Sequence, residues 1–461
     1  MAAAAGGALA NRRTRFHWRP PAKVWIWLAA AHQPGLADAR SEVAAKAALV
    51  AGMAEMEGDV SDLGPNWGDM AQPLATWKGG QVYDDPTWGR KLFMGVSYVN
   101  EEGLPTQLCL IDQDLRGSLS AHVCRLISLT NLSLNCNRIT HLPDAIGRLT
   151  SLVTLDLSNN RLTVLPDAIG ALTSLTCLDL GENQLTALTD AIGALTNLTN
   201  LDLGCNQLTV LPDTMGALTS LTFLSLTRNQ FATLPDAICR LTSLTELDIG
   251  FNQLTSLPDA MGRLIRLTKL LLHHNQLTAL PDSICELTRL TELNMGSNRL
   301  TALPDVIGVL TSLTELSLHS NQLTALPDSM GALTGLKELN VSNNRFTELP
   351  EAIGRLTSLT HLRLSANRLT VLPDTICQLT SLARLDADSN QLTVLPEDIG
   401  RLTNLTRATF AHNQLTALPD TIKHLVYLWT LGLGGNRFSD DEKRRIQRMI
   451  ELHLRHCMPW R

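Results

Sequence analysis

The stretch Leu152–Leu175, LVTLDLSNNRLTVLPDAIGALTSL, contains the pattern that decides the fold. Leu155 and Leu157 alternate with polar residues at period two. This alternation predicts a short strand that buries both leucines and shows its other face to solvent. Asn160 follows, and its side-chain amide is suited to satisfying backbone groups where the chain turns. We therefore expect the Asn to have a structural role.

The second half of the stretch predicts a turn on the opposite side of the molecule. Pro166 fixes its own φ angle and disfavours helix in the residue before it. Ile169 and Leu172 are then expected to face back to the core from a short 3-10 or α-helical segment, with Gly170 permitting a tight return.

The same pattern recurs every 23 residues without insertion or deletion. Fourteen copies run from Asn137 to Asn436, and Pro occupies its slot twelve times between Pro143 and Pro419, with Thr189 as the substitution. A single unit cannot bury its leucines alone, so stacked neighbours must form a continuous core. The register therefore predicts a solenoid.

The core L-x-x-L-x-L-x-x-N-x-L over about 105–436 resembles the leucine-rich-repeat family. The 23-residue form with L-P-x-x-I-G resembles the Ras-group intracellular subclass, which includes Ras-binding and Ras-suppressor scaffolds and plant intracellular relatives. The resemblance implies an α/β horseshoe solenoid with a parallel concave β-sheet and short helical or 3-10 convex segments. It also implies protein partners such as a small GTPase or an associated phosphatase or kinase.

Four regions are expected along the chain. They are a non-repeat, partly disordered Ala- and Trp-rich region (1–104), a degenerate capping repeat (105–128), the fourteen repeats (129–438) and a C-terminal capping helix (439–461). Ser439 and Glu442 form a capping box that opens this helix. Its apolar stripe at helical spacing comprises Ile446, Met449, Ile450 and Leu454.

The first 104 residues differ from the repeats in composition. They hold six of the eight tryptophans, and the first 37 residues contain no acid. This Arg- and Ala-rich start is compatible with an organellar transit peptide or with a disordered leader. Residues 38–56 are expected to form one Ala-rich helix.

Composition narrows the function classes. The net charge of −6 includes no clustered basic face, so nucleic acid is not an expected partner. No apolar run reaches the roughly 18–20 residues of a membrane span. The nine cysteines include no Cys-x-x-Cys pair. Cys239, Cys285 and Cys377 share one repeat position at separations too large for disulfides, which favours a reducing, cytoplasmic location.

Catalytic signatures are absent from the sequence. It contains no P-loop, G-x-S-x-G, H-E-x-x-H or kinase motif. We expect a monomeric, non-enzymatic protein-binding scaffold that needs no cofactor or metal. One alternative is an effector or enzyme with its activity in residues 1–104 and the repeats as its substrate-recognition module. Another is an extracellular recognition receptor, although repeat composition alone produces the N-x-[ST] matches.

Specificity is expected where the copies disagree, around each L-x-L on the concave face. The early copies are rich in Asp at these positions. An acidic row follows, formed by Glu292, Glu315 and Glu338, and the arginines lie in the late copies. Aromatic and apolar residues in the middle of a polar face are typical of a binding hot spot, or of repeat drift on an exposed surface. The candidate protein-binding residues are Phe223, Arg228, Phe251, Lys269, Leu271, His273, His274, Arg363, Arg384 and Arg407.

Overall fold

A computed structural model describes residues 81–85, 90–100, 104–121 and 123–454, and within 81–99 it describes the backbone alone. The strands are β1 (Gln81–Asp85), β2 (Arg90–Val99), β3 (Pro105–Cys109), β4 (Arg116–Ser118), β5 (Asn131–Ser133), β6 (Arg138–His141), β7 (Thr154–Asp156), β8 (Cys177–Asp179), β9 (Asn200–Asp202), β10 (Phe223–Ser225), β11 (Glu246–Asp248), β12 (Lys269–Leu271), β13 (Glu292–Asn294), β14 (Glu315–Ser317), β15 (Glu338–Asn340), β16 (His361–Arg363), β17 (Arg384–Asp386), β18 (Arg407–Thr409) and β19 (Thr430–Gly432).

Short 3-10 helices alternate with the strands, and one α-helix, α1 (Asp440–His453), follows them. The 3-10 helices are Val123–Arg125, Asp144–Arg148, Asp167–Ala171, Asp190–Ala194, Asp213–Ala217, Asp236–Arg240, Asp259–Arg263, Asp282–Glu286, Ile307–Val309, Asp328–Ala332, Glu351–Arg355, Asp374–Gln378, Glu397–Arg401 and Asp420–His424.

The main sheet is parallel from β3 to β19, with β4 and β6 paired separately. Within the repeats each strand residue pairs with the residue 23 positions later, as Leu224 does with Leu247. One strand with its 3-10 helix forms a rung, and the rungs stack into the horseshoe that the sequence predicted. The parallel concave sheet and the short convex segments are therefore confirmed.

The N-terminal edge of this sheet carries a hairpin that the sequence did not predict. Strands β1 and β2 pair antiparallel, and β2 pairs antiparallel with β3, placing Gly95 opposite Cys109. Strand β3 then pairs parallel with β5 at an offset of 24 residues, since Gln107 lies opposite Asn131. The hairpin thus covers the first edge of the parallel sheet.

Leucines from the strands and the loops fill the core. Leu155 and Leu157 have no exposed surface, and the equivalent leucines of the other repeats are buried as well. On the convex side, Pro166 has an extended backbone and its carbonyl accepts from Ile169 N at 3.0 Å, which starts the 3-10 turn. A Cβ at Gly170 would lie 2.7 Å from Ala191 O on the next rung. The small residue therefore lets the convex segments stack closely.

The repeated Asn side chains form a buried ladder that joins the rungs. Asn206 Nδ2 donates to Leu180 O at 3.0 Å and to Leu203 O at 3.1 Å. Its Oδ1 accepts from Leu185 N at 3.0 Å. The sequence predicted a structural role within the turn, and the structure shows that the same side chain also bonds the preceding rung.

Helix α1 covers the last rung. Ser439 Oγ accepts from Glu442 N at 3.1 Å, which confirms Ser439 as the N-cap. The Glu442 carboxylate, which a capping box would direct to Ser439 N, instead accepts from Leu418 N and Arg445. Ile446 and Ile450 are buried against the core. Glu442 Oε1 accepts from Leu418 N at 3.1 Å, so the carboxylate bonds the helix to the backbone of the last repeat. The helix therefore covers the apolar core of the last rung and also bonds its backbone.

Candidate functional site

Each rung presents two kinds of variable side chain to the concave side. The first and third residues of each strand point outward from the sheet, because the middle residue enters the core. The residue just before each ladder Asn begins the turn at the rim of this face. From Cys136 to His412 this rim residue is never Gly, yet its φ lies between 53° and 58°. The left-handed backbone gives the side chains of successive rungs the same orientation.

Three successive rim residues, Arg228, Phe251 and His274, form an aromatic stack. The Arg228 guanidinium carbon lies 4.1 Å from the centroid of the Phe251 ring. The rings of Phe251 and His274 are nearly parallel, with centroids 4.2 Å apart. A cation over an aromatic face and offset ring stacking are both attractive arrangements. The aromatic stack is thus a pre-ordered surface that interrupts the polar rim.

His273 supports the aromatic stack from the side. Its ring meets Phe251 edge-on at 5.1 Å. It lies directly over Gly250, because a Cβ there would come within 3 Å of three atoms of the imidazole. Burial, together with the positive charge of neighbouring His274, His319 and Arg228, lowers the pKa of His273 to about 4. The imidazole is therefore neutral at physiological pH.

The predicted residues of the strands lie beside this stack. Phe223 and Lys269 are the outward residues at the starts of β10 and β12, and both are half-buried. Lys269 Nζ lies 2.7 Å from Glu292 Oε2. Leu271, also half-buried, is in register with Asp248 and Asn294. The structure therefore places seven of the ten predicted residues on three consecutive rungs.

The three predicted arginines form a separate group. Arg363 begins it on β16, four rungs from β12, or about 19 Å at the usual strand spacing. Arg384 Nε and Arg407 Nε lie 2.7 and 3.5 Å from the two carboxylate oxygens of Asp386, whose side chain is 9 % exposed. Asp386 therefore compensates one of the three positive charges of this group.

The early Asp residues have a structural role that sequence reasoning missed. Asp179 Oδ1 accepts from Gly181 N at 2.9 Å, and Asp248 Oδ1 accepts from Gly250 N at 2.8 Å. Asn294 makes the same bond to Gly296 N at 3.1 Å. The recurrence of Asp and Asn four residues before the ladder Asn was the available signal, since both side chains form such local turns.

These carboxyl groups are less acidic than exposed ones. Burial raises the pKa of Asp156, Asp179 and Asp202, and repulsion between carboxylates on nearby rungs adds to the effect. Burial likewise raises the pKa of Asp248 to about 6. These carboxyl groups therefore hold their protons to a higher pH than exposed aspartates do.

A further exposed group lies on the last rung. Val426, Tyr427 and Trp429 are exposed by 60, 61 and 67 %. They occupy positions where most repeats carry Thr, Ser and Thr, and Trp429 replaces a Thr whose hydroxyl in other rungs bonds the preceding rung, as Thr268 Oγ1 does with Thr245 O. Comparing the copies would have revealed this substitution from sequence.

The described part of the chain contains neither a metal-binding cluster nor a membrane-spanning helix. Among those residues, no group of three His, Cys, Asp or Glu side chains is placed to hold a metal ion. None of the helices seen there is long and apolar enough to cross a membrane.

Comparison with known proteins agrees with this architecture. A leucine-rich repeat region model matches residues 107–203, 247–344 and 327–432, and a leucine rich repeat model matches 196–254. No curated protein matches the chain significantly.

Solved structures give the same result. A leucine-rich-repeat protein of Leptospira interrogans is 37 % identical, with a TM-score of 0.72, over 79 % of this chain and 93 % of its own. The plant peptide hormone receptor RGFR1, solved in complex with RGF2, is 29 % identical, with a TM-score of 0.61, over 72 % of this chain and 60 % of its own. The functional domain of InlJ from Listeria monocytogenes is 26 % identical, with a TM-score of 0.64, over 74 % and 70 %. By both its repeat models and its similarity to the Leptospira protein, the chain belongs to the leucine-rich-repeat family.

Proposed function

We propose that this protein is a non-enzymatic scaffold whose concave face binds a partner protein. The observation that carries the proposal is the aromatic stack of Arg228, Phe251 and His274, beside the half-buried Leu271. Interface hot spots are enriched in aromatic and Arg side chains that are already ordered before binding. The solenoid supplies a rigid frame for them, and this is the physical basis of the proposal.

In this proposal the two groups of predicted residues contact different parts of the partner. Phe223, Phe251 and Leu271 provide apolar contact, with Arg228, Lys269, His273 and His274 around them. Arg363, Arg384 and Arg407 contact the partner four to six rungs beyond β12. Two solved relatives support protein ligands in general, since RGFR1 was solved with RGF2 and a Toll structure is a complex with Spatzle.

The resemblance to the Ras-group subclass extends the proposal to a partner class. We propose a small GTPase, or a phosphatase or kinase associated with one, as the client of a monomeric, cytoplasmic scaffold. This part rests on the L-P-x-x-I-G repeat form. Titrating the chain with small GTPases loaded with GDP or with a non-hydrolysable GTP analogue tests it, and the absence of saturable binding in both states would contradict it.

Affinity capture with the full chain and a double variant tests the binding face. Phe251→Asn and Leu271→Asn remove the apolar groups while using residues that the same positions carry on other rungs, such as Asn159 and Asn294. We expect the double variant to lose at least about tenfold of the captured partner, because hot-spot residues carry most of the binding energy. Its melting temperature should not fall.

A matched control removes exposed apolar surface elsewhere. Val164 and Val210 are 54 and 63 % exposed, and they follow the ladder Asn by four residues, away from the strands. Val164→Ser with Val210→Ser should leave capture unchanged. Equal capture by the wild type and by the Phe251 and Leu271 double variant would remove the proposed face.

A further inference from the structure

Most charged strand residues between β12 and β18 form ion pairs with other residues of the chain. Lys269 is paired with Glu292. Asp386 is shared by Arg384 and Arg407. The charges of Lys269 and Glu292 therefore cancel at short range, whereas Arg384 and Arg407 share a single carboxylate and keep one net positive charge between them.

One further pair is conditional on pH. His361 Nδ1 lies 3.8 Å from Glu338 Oε1, and this pair is ionic when the imidazole is protonated. Glu338 is without an ionic partner when this imidazole is neutral. Two further charged strand residues of this stretch have no ion-pair partner among the described residues in either state. They are Glu315 on β14 and Arg363 on β16.

Glu315 is an exposed carboxylate with carboxylates on both sides. It lies in register with Glu292 on one neighbouring strand and Glu338 on the other. The three parallel carboxylates repel each other, so a cation placed at the centre would relieve the repulsion. Lys269 reaches only the first of them within ion-pair distance.

Arg363 is a half-buried guanidinium in register with Asn340 and Asp386. Asp386 is occupied by its two other arginines, so Arg363 faces the open side of the sheet. A guanidinium presents a fixed fork of donors that fits a carboxylate. Its unmet donors therefore favour an anionic group from outside the chain.

The floor between these two charges is polar and open. Ser317 and Asn340 lie on it, within an open concavity whose charged lining residues are Glu292, Glu315, Glu338 and Arg363. Asn340 Oδ1 accepts from Ser342 N at 3.2 Å, which leaves its NH2 group as a donor toward the concavity. Strands β14 and β16 are two steps apart, or about 10 Å along the solenoid, and Arg363 lies two residues further along its strand than Glu315 does, so the two residues are separated by about 12 Å.

We propose that this part of the concave face binds a partner segment carrying a basic side chain against Glu315 and an acidic one against Arg363. The acidic side chain lies about 10 Å further toward the C-terminal end of the solenoid. This inference rests on the proposed function, and it specifies the chemistry of the partner. A polyanion fits poorly, because Glu292, Glu315 and Glu338 repel it beside Arg363.

A peptide library provides the probe. Random 16-residue peptides displayed on phage are panned against the full chain and, in parallel, against Glu315→Gln, Arg363→Gln and the Phe251→Asn, Leu271→Asn double variant. The matched controls are Glu351→Gln and Arg355→Gln, which neutralise exposed charges on the convex side of a nearby rung. Purified binders are then titrated against each variant.

The expected result is specific to each charge. Wild-type binders carry a basic and an acidic residue. Glu315→Gln removes the preference for the basic one, and Arg363→Gln removes the preference for the acidic one. Each substitution weakens binding about three- to tenfold, as expected of partly exposed charge pairs, and the convex controls have no effect.

The remaining outcomes overturn the inference in distinguishable ways. Binders that depend on Phe251 and Leu271 but not on Glu315 or Arg363 would leave the proposed function standing and remove the charge pair. A library that yields no binder dependent on the concave face would remove both. Equal loss in the convex controls would show a general charge effect and would also overturn it.

Discussion

Replacing Asp248 by Asn is expected to raise the free energy of unfolding at neutral pH and to leave it unchanged below about pH 4. The carboxyl oxygen that accepts from Gly250 N becomes an amide oxygen in the same place. Asn294 and Asn340 make the equivalent bond at the same repeat position, so the substitution uses a geometry that the chain already contains. The hydrogen bond is kept and the buried negative charge is removed.

The magnitude follows from the shift in pKa. Burial raises the pKa of Asp248 from 3.8 to about 6, and the charges of Asp202 and Glu292 contribute. Each unit corresponds to about 1.4 kcal/mol. Because the side chain keeps some contact with solvent and loses the attraction of Lys269 on substitution, a gain of about 1–2 kcal/mol is expected at pH 7.

The direction of the Asp248 pKa shift determines the pH range over which the variant differs in stability from the wild type. An acid whose folded pKa is raised binds its proton more tightly in the folded state, so folding is not penalised below the unfolded pKa of 3.8. The penalty grows as pH rises from about 4 to 6 and is complete above that range. The advantage of the variant should therefore appear across the same window.

Urea unfolding followed by circular dichroism between pH 4 and 8 measures this difference. Asp259→Asn is the matched control, because it removes an exposed carboxylate from the convex 3-10 helix of the same repeat. Its effect should not grow between pH 4 and 6. A variant at Asp248 that is less stable than wild type at pH 7, or whose gain is the same at every pH, would refute the reasoning.

Three further substitutions test the frame. Asn252→Ala leaves Phe231 N without its side-chain acceptor and removes one of the two Asn donors that reach Leu226 O and Ile249 O, so a loss of about 1–3 kcal/mol is expected in urea unfolding, and no measurable loss would contradict the ladder. Gly170→Ala brings a Cβ against Ala191 O, so we expect a lower melting temperature, whereas Gly335→Ala, which meets no atom closer than 3.6 Å, should change it little. Ser439→Ala removes the acceptor for Glu442 N and is expected to cost about 1 kcal/mol, with faster amide exchange confined to the start of α1; unchanged exchange there would speak against the cap.

The sequence was sufficient for the fold because the 23-residue register is unbroken. Leu155 and Leu157 identify a strand, Pro166 identifies the start of a convex segment, and stacking follows from the inability of one unit to bury them. The N-cap at Ser439 was equally legible, since its signal lies within four residues. By contrast, β1 and β2 have no counterpart in the repeat, so the 23-residue pattern predicts neither their hairpin nor the pairing of β2 with β3.

The candidate site was only partly predictable. Residues that differ from the repeat, such as Phe251 and Leu271, could be found by comparing copies. Their partners could not, because the contact of Arg228 with Phe251 depends on the left-handed backbone at the rim, and the sharing of Asp386 by two arginines depends on side-chain direction. The Asp at position 248 was assigned to a charged face, whereas its main contact is with the backbone of its own turn.

The unbroken register of the rungs has a consequence for how recognition can change. The separation of the aromatic stack and Arg363 along the solenoid is a whole number of strand steps, so it can be adjusted only in increments of about 4.8 Å. Gaining or losing one 23-residue unit between them would move the two contact points by one increment and leave each local geometry intact. In such a molecule the reach of the binding surface is set by counting units, while its chemistry is set by the few side chains that each unit displays.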